Sequence, residues 1–211
     1  MFKGFSRLAC GAAIVTAALA PAVAQAVIID FNDPSLVGAY FDGDTFTQNG
    51  FLMKQEFDPG TVDFVTGFAN PAIAPTGNAT QFYFNSNEGD LVISSLTGLA
   101  FSLNGFKAAF VPGATAPTTA IGIVAFATTK TGAQFGTLFS LGDTSSTTQG
   151  SPFLTFSSAA DFGRFTNLAS VTFFACGLTT CTDPLDLGQF ALDGVSLFVG
   201  RFEAAANLPD S

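Results

Sequence analysis

The sequence has 211 residues, of which 48% are hydrophobic and 11% are charged, and its formal net charge is −9. This much apolar surface can build a folded core, which excludes the disordered class of acidic proteins. An acidic surface repels phosphate backbones, so we expect no binding to nucleic acid. The chain contains no histidine, which removes the commonest general base and the commonest metal ligand.

Residues 1–26 have the three parts of a secretory signal peptide. Lys3 and Arg7 form a positive region, Leu8–Ala20 is an apolar run, and Ala24–Ala26 has the Ala-x-Ala pattern that signal peptidase accepts. The run is shorter than the roughly 20 residues that span a membrane. We therefore predict cleavage at the end of this segment and export across the inner membrane, to the periplasm, the cell surface or the extracellular space. Five basic and sixteen acidic residues remain after cleavage, a net charge of −11.

Residues 27–200 form one predicted β domain. Short runs rich in β-branched and aromatic residues alternate with clusters of Gly, Pro, Asn, Asp and Ser, which are typical of turns. The eleven predicted strands are Val27–Phe31, Phe51–Phe57, Thr61–Phe68, Thr80–Asn85, Leu91–Leu96, Phe101–Val111, Ala120–Thr128, Gln134–Leu141, Phe153–Phe156, Ser170–Cys176 and Gln189–Val199. Strands of this number and spacing indicate an all-β fold, a two-sheet antiparallel β-sandwich of the jelly-roll type. We also predict one helical turn at Asp161–Arg164 and a flexible tail over residues 201–211.

Two cysteines, Cys176 and Cys181, remain after the signal peptide is removed. They lie close together in the sequence, and exported proteins fold in an oxidising compartment. A disulfide between them is the favoured prediction, and a pair of free thiols is the alternative.

Four stretches of the domain are familiar as a set: Ile28–Phe31, Ala74–Asn85, Phe101–Phe106 and Gln189–Val195. With them the chain resembles the exported PEP-CTERM proteins of Gram-negative bacteria over nearly the whole domain. The resemblance implies sorting by exosortase systems and an association with exopolysaccharide production, without an assigned activity. The sorting tail of that group, Pro-Glu-Pro followed by an apolar span and a basic end, has no counterpart in residues 201–211. We expect no membrane span after signal cleavage.

Carboxylates near the first and last predicted strands are candidates for calcium binding. Many jelly-roll carbohydrate-binding modules hold a structural calcium ion between these two strands. The corresponding residues are Asp30, Asn32, Asp33 and Asp193, and carbonyl or water oxygens would complete the about six to eight ligands that calcium needs. Alternatively, Asp193 accepts backbone hydrogen bonds and Asp30 faces solvent. We expect no required cofactor, and structural calcium is the candidate ion.

A small sugar-binding platform is a further candidate site. Such sites stack sugar rings on Trp or Tyr, and the chain has two Tyr and no Trp. In the stretch from Gln81 to Asn85, strand alternation places Tyr83 opposite the neighbouring phenylalanines. An exposed Tyr83 flanked by Gln81 and Asn85 would form the platform, with Tyr40 as a second candidate. The alternative is a tyrosine packed at a sheet edge.

These features favour an exported, non-enzymatic component of the cell surface or extracellular matrix, with exopolysaccharide or other surface proteins as partners. A calcium-stabilised carbohydrate-binding module is the alternative. A glycoside hydrolase is a weaker alternative, because it needs two carboxylates about 5–10 Å apart across a cleft and nothing in the sequence places such a pair. A Ser-His-Asp triad cannot form without histidine.

Overall fold

The computed structural model of the chain describes residues 25–63, 73–86, 89–113, 120–142, 144, 148–178 and 188–200. The predicted signal peptide, apart from its last two residues, and the predicted tail over 201–211 lie outside these ranges. Within them, no helix is both long enough and apolar enough to cross a membrane.

The described residues form thirteen strands and two short helical segments. In chain order they are β1 (Gln25–Ile29), a 3-10 turn (Pro34–Leu36), β2 (Gly38–Tyr40), β3 (Thr45–Gln48), β4 (Phe51–Glu56), β5 (Gly60–Asp63), β6 (Phe82–Asn85), β7 (Asp90–Ser95), β8 (Phe101–Val111), β9 (Ile121–Thr129), β10 (Gln134–Ser140), β11 (Leu154–Phe156), α1 (Ala159–Phe162), β12 (Leu168–Gly177) and β13 (Gln189–Val199). Strands dominate, which confirms the all-β class predicted from the sequence.

The strands pair in antiparallel fashion and form two layers. In the first layer β2, β5, β6, β13 and β8 lie side by side, with β1 on the same edge of β13 as β6, and β11 next to β8. In the second layer the order is β10, β9, β12, β7, β4 and β3. The pairing of Leu168 with Phe101 links β12 to β8, where one layer bends into the other.

Phenylalanine rings fill the space between the two layers. Phe51 of the second layer lies 5.3 Å from Phe101 of the first, and Phe106 lies 5.1 Å from Phe173, measured between ring centroids. All four rings are at most 2% exposed. Burying one such ring contributes about 1.5–3 kcal/mol to folding, and phenylalanine brings no polar group that would need a partner. This packing confirms the predicted two-sheet sandwich.

The first layer is also covered on part of its outer face. Phe82, Ala109, Val111 and Ala191 form a separate buried cluster, and the Phe153 ring lies 5.6 Å from that of Phe82. As a result, β6 is buried on both of its faces.

The predicted strands occur with boundaries within two residues, and β8 and β13 have their predicted ranges. The predicted strand Thr61–Phe68 is observed as β5 up to Asp63, and its remainder lies outside the described residues. The prediction is wrong in omitting β2 and β3. Both are short strands paired on one side only, and the turn sequence Asp42–Asp44 stands between them.

Side-chain caps explain two displaced boundaries. The Asn78 side-chain oxygen accepts hydrogen bonds from the Thr80 backbone nitrogen at 3.0 Å and from its hydroxyl at 2.7 Å. This turn delays β6, which was predicted to begin at Thr80. The predicted helical turn begins two residues earlier, as α1, because the Ser158 hydroxyl oxygen accepts from the Ala160 nitrogen at 3.2 Å and caps it.

β1 begins before the predicted cleavage point. Gln25 and Ala26 pair with Val199 and Phe198 at the end of β13. Cleavage after Ala26 stays a prediction, and it would leave Val27–Ile29 as the first strand.

Candidate functional site

The residues predicted to bind calcium lie where β1 and β6 meet end to end beside β13. β13 pairs with β6 through Phe190–Leu192 and with β1 through Val195–Val199, so Asp193 faces the break between them. A bulge follows Asp193, and Gly194 has φ 56°, in the left-handed region that glycine adopts easily. We call the polar residues around this break the Asp193 junction: Asp30, Asn32, Asn78, Gln81 and Asp193.

Asp193 is a buried carboxylate, 5% exposed. Its Oδ2 accepts a hydrogen bond from the Asn78 side-chain nitrogen at 2.9 Å, and its Oδ1 accepts from the Gly194 backbone nitrogen at 2.7 Å. Burial raises the pKa of Asp193 above its usual value. The hydrogen bonds from Gly194 and Asn78 and the positive charge of Lys107 oppose that rise, and the negative charge of Asp30 adds to it. The structure therefore brings the two predicted carboxylates within electrostatic range of each other.

The segment after β1 is tied to the same junction. Asp30 Oδ1 accepts from the Gln48 side-chain nitrogen at 2.8 Å and from the Asn32 backbone nitrogen at 3.2 Å. Asn32 Oδ1 accepts from the Gln81 backbone nitrogen at 3.2 Å. Two loops that are far apart in sequence are thus joined by side-chain acceptors.

The Asp33 carboxylate has a different role. Its Oδ1 accepts from the Ser35 backbone nitrogen at 2.9 Å and from the Ser35 hydroxyl at 2.7 Å, which caps the 3-10 turn. These hydrogen bonds lower the pKa of Asp33. Both hydrogen bonds of the Asp33 side chain are thus to Ser35, two residues along the chain.

Gln81 is 1% exposed, and its amide faces backbone carbonyls. One terminal atom of the amide lies 2.6 Å from the Phe31 carbonyl oxygen and 3.3 Å from the Asp33 carbonyl oxygen. With nitrogen in that place, the amide donates to both carbonyls. The described residues contain no group of three Asp, Glu, Cys or His placed to hold a metal, so calcium here would depend on carbonyl and amide oxygens as well as carboxylates.

The predicted sugar platform is wrong, because β6 is covered on both faces. Tyr83 and Asn85 are 0% exposed and Gln81 is 1% exposed. Strand alternation did place Tyr83 opposite its phenylalanine neighbours, but its face is the one that meets the core. The Tyr83 ring lies 5.9 Å from Phe31 and 6.3 Å from Phe190.

Tyr83 instead belongs to a neutral polar cluster that we call the tyrosine network: Gln55, Tyr83 and Asn85. The Tyr83 hydroxyl shares its proton between the Gln55 and Asn85 side-chain oxygens, the latter at 2.7 Å. The Gln55 nitrogen donates to Asn85 at 3.1 Å and to the Asp58 carbonyl, and the Asn85 nitrogen donates to the Gly89 carbonyl. Burial raises the pKa of Tyr83 well above its usual value, which keeps the hydroxyl neutral.

Tyr40 is half-buried and packs inside the fold. Its ring lies 4.3 Å from that of Phe46, and its hydroxyl donates to the Leu36 carbonyl at 2.6 Å. Burial raises its pKa, with a further contribution from Asp44. A packed Tyr40 with a bonded hydroxyl offers little face for stacking a sugar.

A carboxylate pair that the sequence did not place occurs between β4 and β7. Glu56 and Asp90 are direct neighbours in the register, and the Lys54 ammonium lies 2.7 Å from Glu56 Oε1. Burial raises the pKa of Asp90 to about 7, with a further rise from Glu56.

A cavity of about 410 Å³ lies elsewhere, lined by Thr76, Leu141, Gly142, Gln149, Gly150, Ser151, Pro152 and Leu154. Neither Glu56 nor Asp90 lines this cavity.

Two exposed phenylalanines are the feature that sequence reasoning missed. Phe41 and Phe57 are 59% and 65% exposed, and they follow β2 and β4 respectively. The sequence did contain a signal of their exposure, because each phenylalanine stands beside turn residues (Asp42–Asp44 and Asp58–Gly60), where an apolar ring has no core to enter.

The predicted disulfide stays a prediction. Cys176 lies near the end of β12 and is 1% exposed, whereas Cys181 lies outside the described residues.

No protein-family model and no curated protein matches the chain. Among solved structures, it is similar to a DUF4465 family protein from Bacteroides caccae, with a TM-score of 0.53 and 11% identity over 83% of this chain and 99% of that one. A likeness at this identity supports the fold alone.

Two further likenesses have a TM-score of 0.33 each. One is to the enzymatically active domain of tailspike protein 4 of bacteriophage CBA120, with 12% identity over 70% of this chain and 19% of that one. The other is to the family 11 carbohydrate-binding module of a cellulosomal cellulase of Clostridium thermocellum, with 10% identity over 83% of this chain and 95% of that one. Scores this low carry no functional argument.

Proposed function

We propose that the chain is an exported, non-enzymatic component of the cell surface or extracellular matrix and that it acts by binding. The order of positive charge, apolar run and Ala-x-Ala pattern in residues 1–26 supports export. The resemblance to PEP-CTERM proteins supports a place beside exopolysaccharide and other surface proteins.

One observation carries the binding part of the proposal. Phe41 and Phe57 are the strongly exposed aromatic rings of the described residues, and the Phe57 nitrogen donates to Asp42, the residue after Phe41, so both lie at the same end of the sandwich. The tyrosines, by contrast, are packed within the fold. Exposed apolar groups grouped at one place are typical of interaction sites in folded proteins.

Export is tested by expressing the full chain, tagged after Ser211, in a Gram-negative host. We expect intact-mass measurement of the exported fraction to show a chain that begins at Val27. Replacing both Ala24 and Ala26 by phenylalanine should block cleavage, because the peptidase accepts small residues at these positions. Ala18→Leu, inside the apolar run, is the matched control and should be cleaved normally. A full-length chain that remains in the cytoplasm would contradict the proposal.

A calcium-stabilised carbohydrate-binding module is the second candidate, and the Asp193 junction favours it. Asp30 and Asp193 supply two carboxylates within electrostatic range of each other. A divalent cation at this place would relieve the repulsion between the carboxylates.

The calcium candidate is tested by unfolding the exported chain in urea, with calcium and with a chelator. Calcium at about a hundredfold above its dissociation constant should raise the free energy of unfolding by about 2.7 kcal/mol. Asp193→Asn should abolish this response while keeping an acceptor for the Gly194 nitrogen, and Asp161→Asn on α1 should keep it. An identical unfolding curve in both buffers would eliminate calcium binding.

A further inference from the structure

The two exposed phenylalanines stand on neighbouring connections between the layers. Residues 41–44 lead from β2 in the first layer to β3 in the second, and residues 57–59 lead from β4 back to β5. The Phe57 backbone nitrogen donates to Asp42 Oδ1 at 3.0 Å, which ties the two connections together. We call Phe41, Asp42, Asp44, Phe57 and Asp58 the aromatic end.

The aromatic end is held in place by side chains beneath and beside it. The Phe41 nitrogen donates to Asp44 Oδ2 at 2.8 Å, and the tyrosine network holds the Asp58 carbonyl through Gln55. Phe57 has φ 61°, a left-handed conformation that residues other than glycine rarely adopt. A rigid site loses little freedom when a partner binds, which favours affinity.

The charge of the aromatic end is negative. Asp42 and Asp44 are exposed, and Glu56 and Asp58 lie within one residue of Phe57 in the chain. The neighbouring cation is Lys54, whose ammonium is already paired with Glu56 at 2.7 Å. Two exposed phenyl rings thus lie on connections that carry several carboxylates, a combination that attracts cations over uncharged groups.

We propose that the aromatic end binds a basic segment of a partner protein, with arginine or lysine side chains over the rings of Phe41 and Phe57 and their charges facing Asp42 and Asp44. This rests on the proposed binding function and names its partner class. A guanidinium suits such a site because it stacks on an aromatic face and bonds to carboxylates at the same time. The chain already makes the stacking contact internally, where the Arg164 guanidinium lies 4.9 Å from the Phe135 ring centroid.

The observations favour a basic segment over a neutral polysaccharide. Sugar hydroxyls gain little from several like charges, and phenylalanine lacks the polar group with which tyrosine and tryptophan bond to sugars. A cationic side chain uses both the rings and the carboxylates.

The test is fluorescence anisotropy with the full chain purified from the exported fraction and with labelled octa-arginine as the probe. Octa-glutamate serves as the probe of opposite charge. The double variant Phe41→Ala/Phe57→Ala removes the rings, and Asp42→Asn/Asp44→Asn removes two charges while keeping both side-chain acceptors. The matched controls are Leu96→Ala/Leu99→Ala, which alters exposed apolar residues at the opposite end of β7, and Asp161→Asn on α1.

We expect octa-arginine to bind and octa-glutamate not to bind. Loss of the two rings should weaken binding about tenfold, as two cation–π contacts would. The Asp42→Asn/Asp44→Asn variant should weaken binding and reduce its dependence on salt, while the controls should bind as the parent does. Each variant is checked for an unchanged unfolding midpoint.

Three results would overturn the proposal: no binding of octa-arginine, equal weakening in the control variants, or a neutral polysaccharide whose retention depends on Phe41 and Phe57. None of these results bears on signal cleavage, so a failure here is distinguishable from a failure of export.

Discussion

The Asp193 junction and the tyrosine network both adjoin β6, and they differ in charge. The tyrosine network is neutral, and its amide and hydroxyl groups bond to one another and to the backbone. The Asp193 junction carries two carboxylates within electrostatic range of each other, and the Gln81 amide nitrogen donates to two backbone carbonyl oxygens beside them. Both clusters match donors to acceptors, but the Asp193 junction also brings like charges together.

The difference separates a structural cluster from a ligand site. A buried network whose members satisfy each other fixes the geometry of the fold and needs no ligand. A cluster that holds like charges gains stability when a cation is added. We therefore expect the tyrosine network to support the aromatic end, and we propose the Asp193 junction as the candidate place for a cation.

Gly60→Ala should break the tyrosine network most severely. A Cβ at Gly60 would lie 2.6 Å from Cε2 of the Tyr83 ring, closer than real Cβ contacts. Relief of such crowding in a packed core costs about 3 kcal/mol. The loss is measured by urea unfolding, with Gly38→Ala as the control because nothing lies within 4 Å of a Cβ there. Equal stability of the two variants would contradict the assignment.

Tyr83→Phe should weaken the same network by removing one hydroxyl. The Gln55 and Asn85 oxygens would lose that donor inside the core, which costs about 1–3 kcal/mol. Tyr40→Phe, which loses one half-buried bond to Leu36, is the control and should cost less. The calcium response of the Asp193 junction should survive both changes. A Tyr83→Phe chain that no longer responds to calcium, where the parent does, would show that the two clusters are not separate.

Asp90→Asn should give the smallest effect, a change in the pH dependence of stability. Because the folded pKa of Asp90 is about 7 and its usual value is 3.8, the folded chain holds a proton that the unfolded chain has lost between these pH values. Stability therefore falls as pH rises from about 4 through 7. The variant should lose this slope in urea unfolding, and Asp161→Asn should keep it. The raised pKa of Asp90 would be contradicted if the parent chain were more stable at pH 8 than at pH 5 while the variant were more stable at pH 5 than at pH 8.

Periodicity and turn chemistry predicted most of the fold, and β8 and β13 were predicted to the residue. The proximity of Asp30 to Asp193 was also predicted, from the place that calcium takes in many jelly-roll carbohydrate-binding modules. Asn78 was not predicted as a partner, since its contact with Asp193 depends on a loop 115 residues away in sequence.

Sequence reasoning failed where burial depends on distant segments. Alternation identified the face that Tyr83 occupies, but it does not reveal which face meets the core. That depends on Phe31 and Phe190, which come from opposite ends of the domain. Phe41 and Phe57 were missed for the converse reason: the sequence shows the turns beside them, but the exposure of a ring at a turn depends on how the loops are placed.

We propose above all that this chain acts outside the cytoplasm by binding through the aromatic end. The most direct measurement is the fraction of full-length expressed chain retained by the washed extracellular matrix of a Gram-negative host that forms exopolysaccharide. We expect retention of the parent chain and of Leu96→Ala/Leu99→Ala, and release of Phe41→Ala/Phe57→Ala into the soluble exported fraction. Equal retention of all three chains, or release of all three, would contradict the claim.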